Sequence, residues 1–309
     1  MKRVSLFLIL SLFTLAGCTK TTDNEIRIAK QFGLAYAPIE IMQKQEILED
    51  QGYQVTYVKA SNTANIRELI LAGQLDVGFM AIPPFLIGYD NKMEWKTFSG
   101  LSSVRVGLTS YKDYQSIGDI TATDRIALPQ AGSIQHILLA MASEREFGDA
   151  SKFDKQLVSL NHADGYTALL SKGDISLHFT SEPYLTKEIE AGNNLVIDGA
   201  SAMGSDFTFI IGATTNDFYN NTKAYSDFYE AYQKAIAYIN NNKEEASSYL
   251  AQIYDISTEE MLAYLQSSNI SYTNDIKGYQ KFYDFMVENN YLNTEFTLAD
   301  TLVDGIEYE

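Results

Sequence analysis

Two stretches of the chain, one hundred residues apart, carry the same ordered set of residues, and this repeat constrains the fold most strongly. Leu69-Ile70 leads to Gly73, Leu75, Val77, Phe79 and Pro83; Leu169-Leu170 leads to Gly173, Ile175, Leu177, Phe179 and Pro183. Each copy reads as a helix end, a glycine stop, a buried strand and a loop closed by proline. Upstream, Arg27-Ile28-Ala29 and a loop with Gly33 are matched by Arg125-Ile126-Ala127 and a loop with Gly132, each before a helix. The order and nearly constant offsets imply two similar lobes built from strand–loop–helix units.

Between the repeats, strands are expected at 26–29, 54–58, 77–80, 125–128, 157–160, 175–179 and 195–197, with helices between most of them. Pro38 starts a helix expected to carry Ile41, Met42 and Leu48 and to close at Gly52. This alternation predicts an α/β fold with largely parallel sheets. From Thr222 to about Leu292 the chain reads as helical. Its stripes Tyr225, Phe228, Tyr229, Tyr232 and Tyr279, Phe282, Tyr283, Met286 read as the packed sides of amphipathic helices rather than as a ligand box.

The first residues stand apart from this body. Lys2 and Arg3 precede an apolar run over 4–16 that is too short to span a bilayer, for which roughly 20 residues are needed, and fits the core of an export signal. It ends in Leu15-Ala16-Gly17-Cys18, with the only cysteine of the chain. The pattern resembles the lipobox of bacterial lipoproteins, which implies lipidation of Cys18, a signal over 1–17 and a tether over 18–24. Two or more acyl chains suffice for stable anchoring. Removal of Lys2 and Arg3 leaves 21 of the 23 basic residues against all 40 acidic ones, so the net charge moves from −17 to −19. Such a balance argues against nucleic acid or anionic lipid as a partner. With Cys18 acylated, no cysteine is left for a disulfide or a thiolate metal site.

In open α/β sheets, ligands sit beyond the carboxyl ends of the strands, beside helix N-termini. Four loops therefore converge on a cleft between the lobes: 31–36, 81–84, 130–135 and 180–183. In the third, Gly132 permits close backbone approach and Ser133 is placed to cap the helix; its amides suit a carboxylate, sulfonate or phosphate, or serve a plain N-cap. Phe32, Tyr36 and Phe85 are candidates for an apolar wall. Glu182, just before Pro183, either holds an amine or amino-heterocycle by a charge-assisted bond or stabilises a helix start. His136, His162 and His178 are scattered, and His178, inside a strand, reads as structural. No H-E-x-x-H, G-x-S-x-G, P-loop or dinucleotide fingerprint is present in the sequence, so neither a metal nor another cofactor is expected.

Taken together, the segments Gly33–Pro38, Leu71–Phe79, Ile126–Ser133 and Phe179–Tyr184 resemble the nitrate/sulfonate/taurine/thiamine-precursor branch of type 2 periplasmic solute-binding proteins, in the family's order and over essentially all of 26–292. The resemblance implies two lobes joined by crossings near 107–111 and 205–210, with residues 25–108 and 208–309 in one lobe and 109–207 in the other. Family ligand contacts map onto Gln31, Phe32, Gly33, Tyr36, Ala81, Ile82, Gln130, Gly132, Ser133, Gln135, Thr180, Ser181 and Glu182. The implied role is that of the extracytoplasmic, lipid-anchored, monomeric binding component of an ABC importer. Its partners would be a small solute, a permease and the permease's ATPase; it would not be an enzyme. Many relatives carry a neutral or aromatic residue where this chain has Glu182. That departure points to a solute with a positive or hydrogen-bond-donating part, such as an amino-sulfonate, an aminopyrimidine or a related heterocycle. Two other readings differ in kind: an enzyme of the thiamine-pyrimidine synthase type on the same fold, and a lipoprotein that senses a ligand without transporting it.

Overall fold

The computed structural model describes residues 24–60 and 62–309; the signal, Cys18 and the start of the tether lie outside the described residues. Among the described residues, eleven strands fall into two sheets. The first contains β1 (Glu25–Lys30), β2 (Gln54–Lys59), β3 (Val77–Met80), β4 (Trp95–Val104), β10 (Ile210–Thr215) and β11 (Ile270–Tyr272). Its order is β11-β4-β10-β3-β1-β2. The second contains β5 (Val106–Ser110), β6 (Ile126–Leu128), β7 (Leu157–Ser159), β8 (Leu177–Ser181) and β9 (Asn194–Asp198), in the order β7-β6-β8-β5-β9.

The repeat is visible in these orders. β2-β1-β3 and β7-β6-β8 are equivalent parallel trios, with Ile28 opposite Val77 and Ile126 opposite Leu177. Each trio is extended by an antiparallel strand, β10 beside β3 and β5 beside β8. The sheets are therefore mixed rather than largely parallel, because the strands that follow the crossings enter each sheet in the reverse direction. The chain leaves the first sheet at Arg105, so Val106, Gly107 and Leu108 already pair in the second, with Ser181, Thr180 and Phe179 opposite them. It returns between the helix Gly199–Met203 and β10.

Other boundaries also differ from expectation. The helix begun at Ala37, with Pro38 in its first turn, ends at Lys44 instead of Gly52, and Glu46 beyond it takes a positive φ of 50°. Leu48 is nonetheless fully buried. The aromatic stripes lie where amphipathic packing puts them. Phe228 and Tyr232 of the helix Thr222–Asn241 close over Phe98 of β4, with ring centroids 5.4 and 5.3 Å away. Tyr279, Phe282 and Met286 of the helix Tyr279–Glu288 are likewise buried. The Asp90 carboxylate, at the end of the helix Ile82–Asp90, accepts four bonds from Asn293 and Thr294 and ties the C-terminal region to the first lobe. Among the described residues no helix is long and apolar enough to cross a membrane.

Candidate functional site

The carboxyl ends of β1 and β3 in the first lobe and of β6 and β8 in the second lead into the four loops singled out in the sequence. The lobes meet there. Gly132 has φ 77°, and the Cβ it lacks would lie 2.8 Å from Cδ1 of Ile87, on the helix after β3. The His136 ring packs edge-on to Tyr291, 5.5 Å between centroids. Lys187 Nζ stands 3.7 Å from Glu260.

In the first lobe, the Gln31 side chain donates to the carbonyl of Phe79 at 2.9 Å, joining the loop after β1 to the end of β3. Phe32 is 70% exposed, its ring 5.1 Å from that of Tyr254. Gly33 has φ 141°, which only glycine adopts without strain, and its carbonyl accepts the Tyr36 amide and the Tyr254 hydroxyl. Tyr36 is half-buried, and burial pushes its phenol well above its ordinary pKa. Ala81 and Ile82 are buried, Ala81 as the N-cap of the helix after β3. Phe85 is wholly buried and stacked on Trp95, 5.1 Å between centroids, so it belongs to the core and not to an exposed wall.

In the second lobe, Ser133 caps the helix Ile134–Phe147, its hydroxyl accepting the His136 amide at 3.3 Å. The Gly132 amide donates to Nδ1 of His136 at 3.0 Å, and the Ser133 amide to the Gln130 carbonyl. His136 Nε2 lies 3.1 Å from Asp154. The loop thus consumes several of the amides expected to be free. Those of Ile134 and Gln135, which have no intrahelical acceptor, face no protein acceptor among the described residues. Gln135 itself is buried. Thr180 and Ser181 end β8, both buried.

Glu182 is only 4% exposed, and its two carboxylate oxygens accept the amide and hydroxyl of Thr186, at 3.3 and 2.9 Å, over the start of the helix Tyr184–Glu190. Its own amide donates to the carbonyl of Arg105 in the first crossing. Burial raises its pKa, opposed by the Thr186 bonds and the charge of Arg105. Both the helix-start role and the position beside the crevice are thus realised in one side chain. The Arg105 amide in turn donates to Asn269 of the first lobe at 2.7 Å, and its guanidinium pairs with Asp198 at 3.3 Å.

His162 was not among the residues singled out for the site, yet it lies at this crevice. It opens the helix after β7 with its Nδ1 2.8 Å from Thr180 Oγ1. Asn161, which caps that helix, follows the same strand end. The signal available in the sequence was positional: His162 stands just beyond a strand end, and the crevice rule applies to β7 as well. Two cavities, of about 510 and 500 Å³, border the second crossing and Lys277, the second of them lined also by Arg105 of the first crossing, and no crevice-loop residue lines either.

Neither a family model nor a curated protein sequence matches the chain. Solved structures do. The alkanesulfonate-binding protein of Xanthomonas axonopodis pv. citri, bound to MOPS, superposes with a TM-score of 0.73 at 16% identity, over 91% of this chain and 98% of that one. The periplasmic nitrate-binding protein of Synechocystis PCC 6803 gives 0.67 at 16% identity, over 90% of this chain and 84% of that one. A Candida albicans protein described as having the generic periplasmic binding protein fold gives 0.70 at 13%, over 90% and 96%. At such identities the likeness defines the fold: this chain has the two-lobed periplasmic binding protein architecture. Among its structural neighbours are sulfonate- and nitrate-binding proteins.

Proposed function

We propose that the chain is the extracytoplasmic solute-binding component of an ABC importer, held at the membrane through Cys18. Its role would be to capture a small organic solute between its lobes and deliver it to a permease. One observation carries this reading: two sheets with equivalent parallel trios end in four loops, one of which sets Gly132 against Ile87 of the other lobe, and among the described residues the chain passes between the sheets at two places. That arrangement supports closure about the crossings with the ligand as the bridge. In this reading Gln31, Phe32, Gly33, Tyr36, Ala81, Ile82, Gln130, Gly132, Ser133, Gln135, Thr180 and Ser181 surround the solute. Glu182 borders it while bracing the first crossing. The exposed Phe32 ring supplies an apolar face, and the unpaired amides at Ile134 and Gln135 supply donors. The acidic crevice edge and net charge favour an amino-sulfonate, an aminopyrimidine or a related heterocycle over a simple inorganic anion.

The test is thermal unfolding of the purified protein against nitrate, taurine, an unsubstituted alkanesulfonate and 4-amino-2-methylpyrimidine. A ligand that binds only the native state raises Tm with concentration. A saturating rise with taurine or the pyrimidine, and none with nitrate, is expected. Tight nitrate or plain alkanesulfonate binding that Glu182→Gln leaves unchanged would contradict the assigned ligand class. Chemical conversion of either probe by the protein would favour the enzyme reading.

A further inference from the structure

Behind the crevice, the second lobe holds a column of polar side chains of which the solute-binding reading uses only Thr180, at the outer end. At its inner end the Glu188 carboxylate accepts the Thr109 hydroxyl and lies 2.6 Å from His178 Nδ1; all three residues are completely buried. Among the described residues His178 Nε2 has no hydrogen-bond partner, and it packs against the helix His162–Leu170, where a Cβ on Gly165 would come within 2.3 Å of it. Next comes His162, its ring centroid 6.1 Å from that of His178 and 6.3 Å from that of Tyr184, on which it stacks at 17°. Tyr166 packs on the same Tyr184 ring at 5.7 Å. At the outer end His162 Nδ1 meets Thr180 Oγ1. Because β6 lies between β7 and β8, this bond reaches across the strand that feeds the loop Gln130–Gln135. His162 Nε2, in a half-buried side chain, faces no protein partner among the described residues.

We propose that His162, braced by Thr180 and Tyr184, is a specificity-determining residue of the crevice that selects solutes offering an uncharged polar edge and discriminates against bare oxyanions. The inference rests on the solute-binding reading and deepens it. Three features of the column support it. The Thr180 contact fixes the ring orientation, so Nε2 is pre-positioned and little side-chain entropy is lost on binding. The Tyr184 and Tyr166 rings add a flat apolar surface beside it. Burial, reinforced by the neighbouring His178, lowers the His162 pKa to about 3, so at physiological pH it offers a hydrogen bond without a charge. The ionisable groups set against it are His178 and Tyr184; Tyr166 reaches it only through the Tyr184 ring, and Glu188 only through His178.

The test is calorimetric titration of the purified protein and of His162→Gln and His162→Phe with 4-amino-2-methylpyrimidine, taurine and nitrate between pH 5 and 8. In the unsubstituted protein the Kd for the pyrimidine or taurine is expected to be flat across that range. His162→Phe is expected to weaken binding at least tenfold and to narrow the preference over nitrate, as loss of a buried hydrogen bond does. His162→Gln, which keeps a donor and an acceptor, is expected to restore most of the affinity. Affinity falling about tenfold per pH unit above pH 6, as an imidazolium–anion contact requires, would overturn the inference. So would binding that both substitutions leave unchanged. Failure of all three probes to bind the unsubstituted protein would contradict the ligand classes of the solute reading, and this inference with them. Binding that is indifferent to His162 would overturn the inference alone.

Discussion

At the scale of single residues, Glu182 shows how one side chain joins the crevice to the crossing. Its carboxylate is satisfied by Thr186 and its amide by Arg105, so a charge that composition alone would place on the surface is buried. Because burial raises its pKa above the ordinary 4.5, the folded protein holds this proton more tightly than the unfolded chain. Stability from this group is therefore present at low pH and is lost as pH rises through the raised value. Glu182→Gln, which keeps an acceptor for the Thr186 hydroxyl, is expected to leave Tm unchanged below pH 4 and to raise it at pH 7. A lower Tm at pH 7 would show that the carboxylate charge stabilises the fold. The strand-end positions of Gly132, Ser133, Thr180 and Glu182 were legible from the alternation of apolar runs and helix starts. That Gly132 spends its amide on His136, and that His162 reaches Thr180, were not. Both depend on which side chains the sheet order places side by side, and spacing along the chain does not encode that order.

At the scale of elements, the parallel trios were legible because Ile28, Val77, Ile126 and Leu177 sit in short apolar runs bounded by glycine and proline. The strands β4, β5, β10 and β11 were not, and β11 interrupts the stretch from Thr222 to about Leu292 that reads as helical. β4 carries Gly100 and four serine or threonine residues, with no alternation, because it is buried on both faces. Gly100 is needed there because a Cβ would come within 2.0 Å of the Asp275 carbonyl. Two element-level consequences are open to measurement. Removing one partner of the buried His178–Glu188 pair leaves an uncompensated polar group in the second lobe, so Glu188→Ala is expected to cost about 1–3 kcal/mol in denaturant unfolding. A loss below 1 kcal/mol would mean that the pair is not held as described. Gly132→Ala places a side chain at positive φ and against Ile87, so it is expected to cost about 1–3 kcal/mol of stability. It is also expected to weaken solute binding by holding the lobes apart. Unchanged affinity would separate Ile87 from closure.

At the scale of the whole molecule, the order β7-β6-β8-β5-β9 of the second sheet matches β2-β1-β3-β10-β4 of the first, to which β11 is added, and the chain passes between them at Arg105 and again after the helix Gly199–Met203. Two covalent paths join the sheets among the described residues; one mixed-charge cavity borders the second path and another lies between both. The two-lobe plan was readable from the repeat. The exact exit from the first lobe was not, because β4 and β5 form a mostly buried run in which Arg105 is half-buried, as are Lys96 and Ser103 of β4. Anchoring through Cys18 rests on sequence, and Cys18→Ala is expected to move the protein from the membrane fraction to the soluble one. Retention of that variant in the membrane would remove the anchor from the proposal.

The claim that the crevice traps a small solute is tested most directly by native mass spectrometry of the protein isolated from its own membrane. One small molecule per chain is expected, lost on denaturation and restoring the original mass when added back. A protein that is consistently empty, and that binds none of the probe solutes on titration, would contradict solute capture and favour a two-lobed lipoprotein of another function.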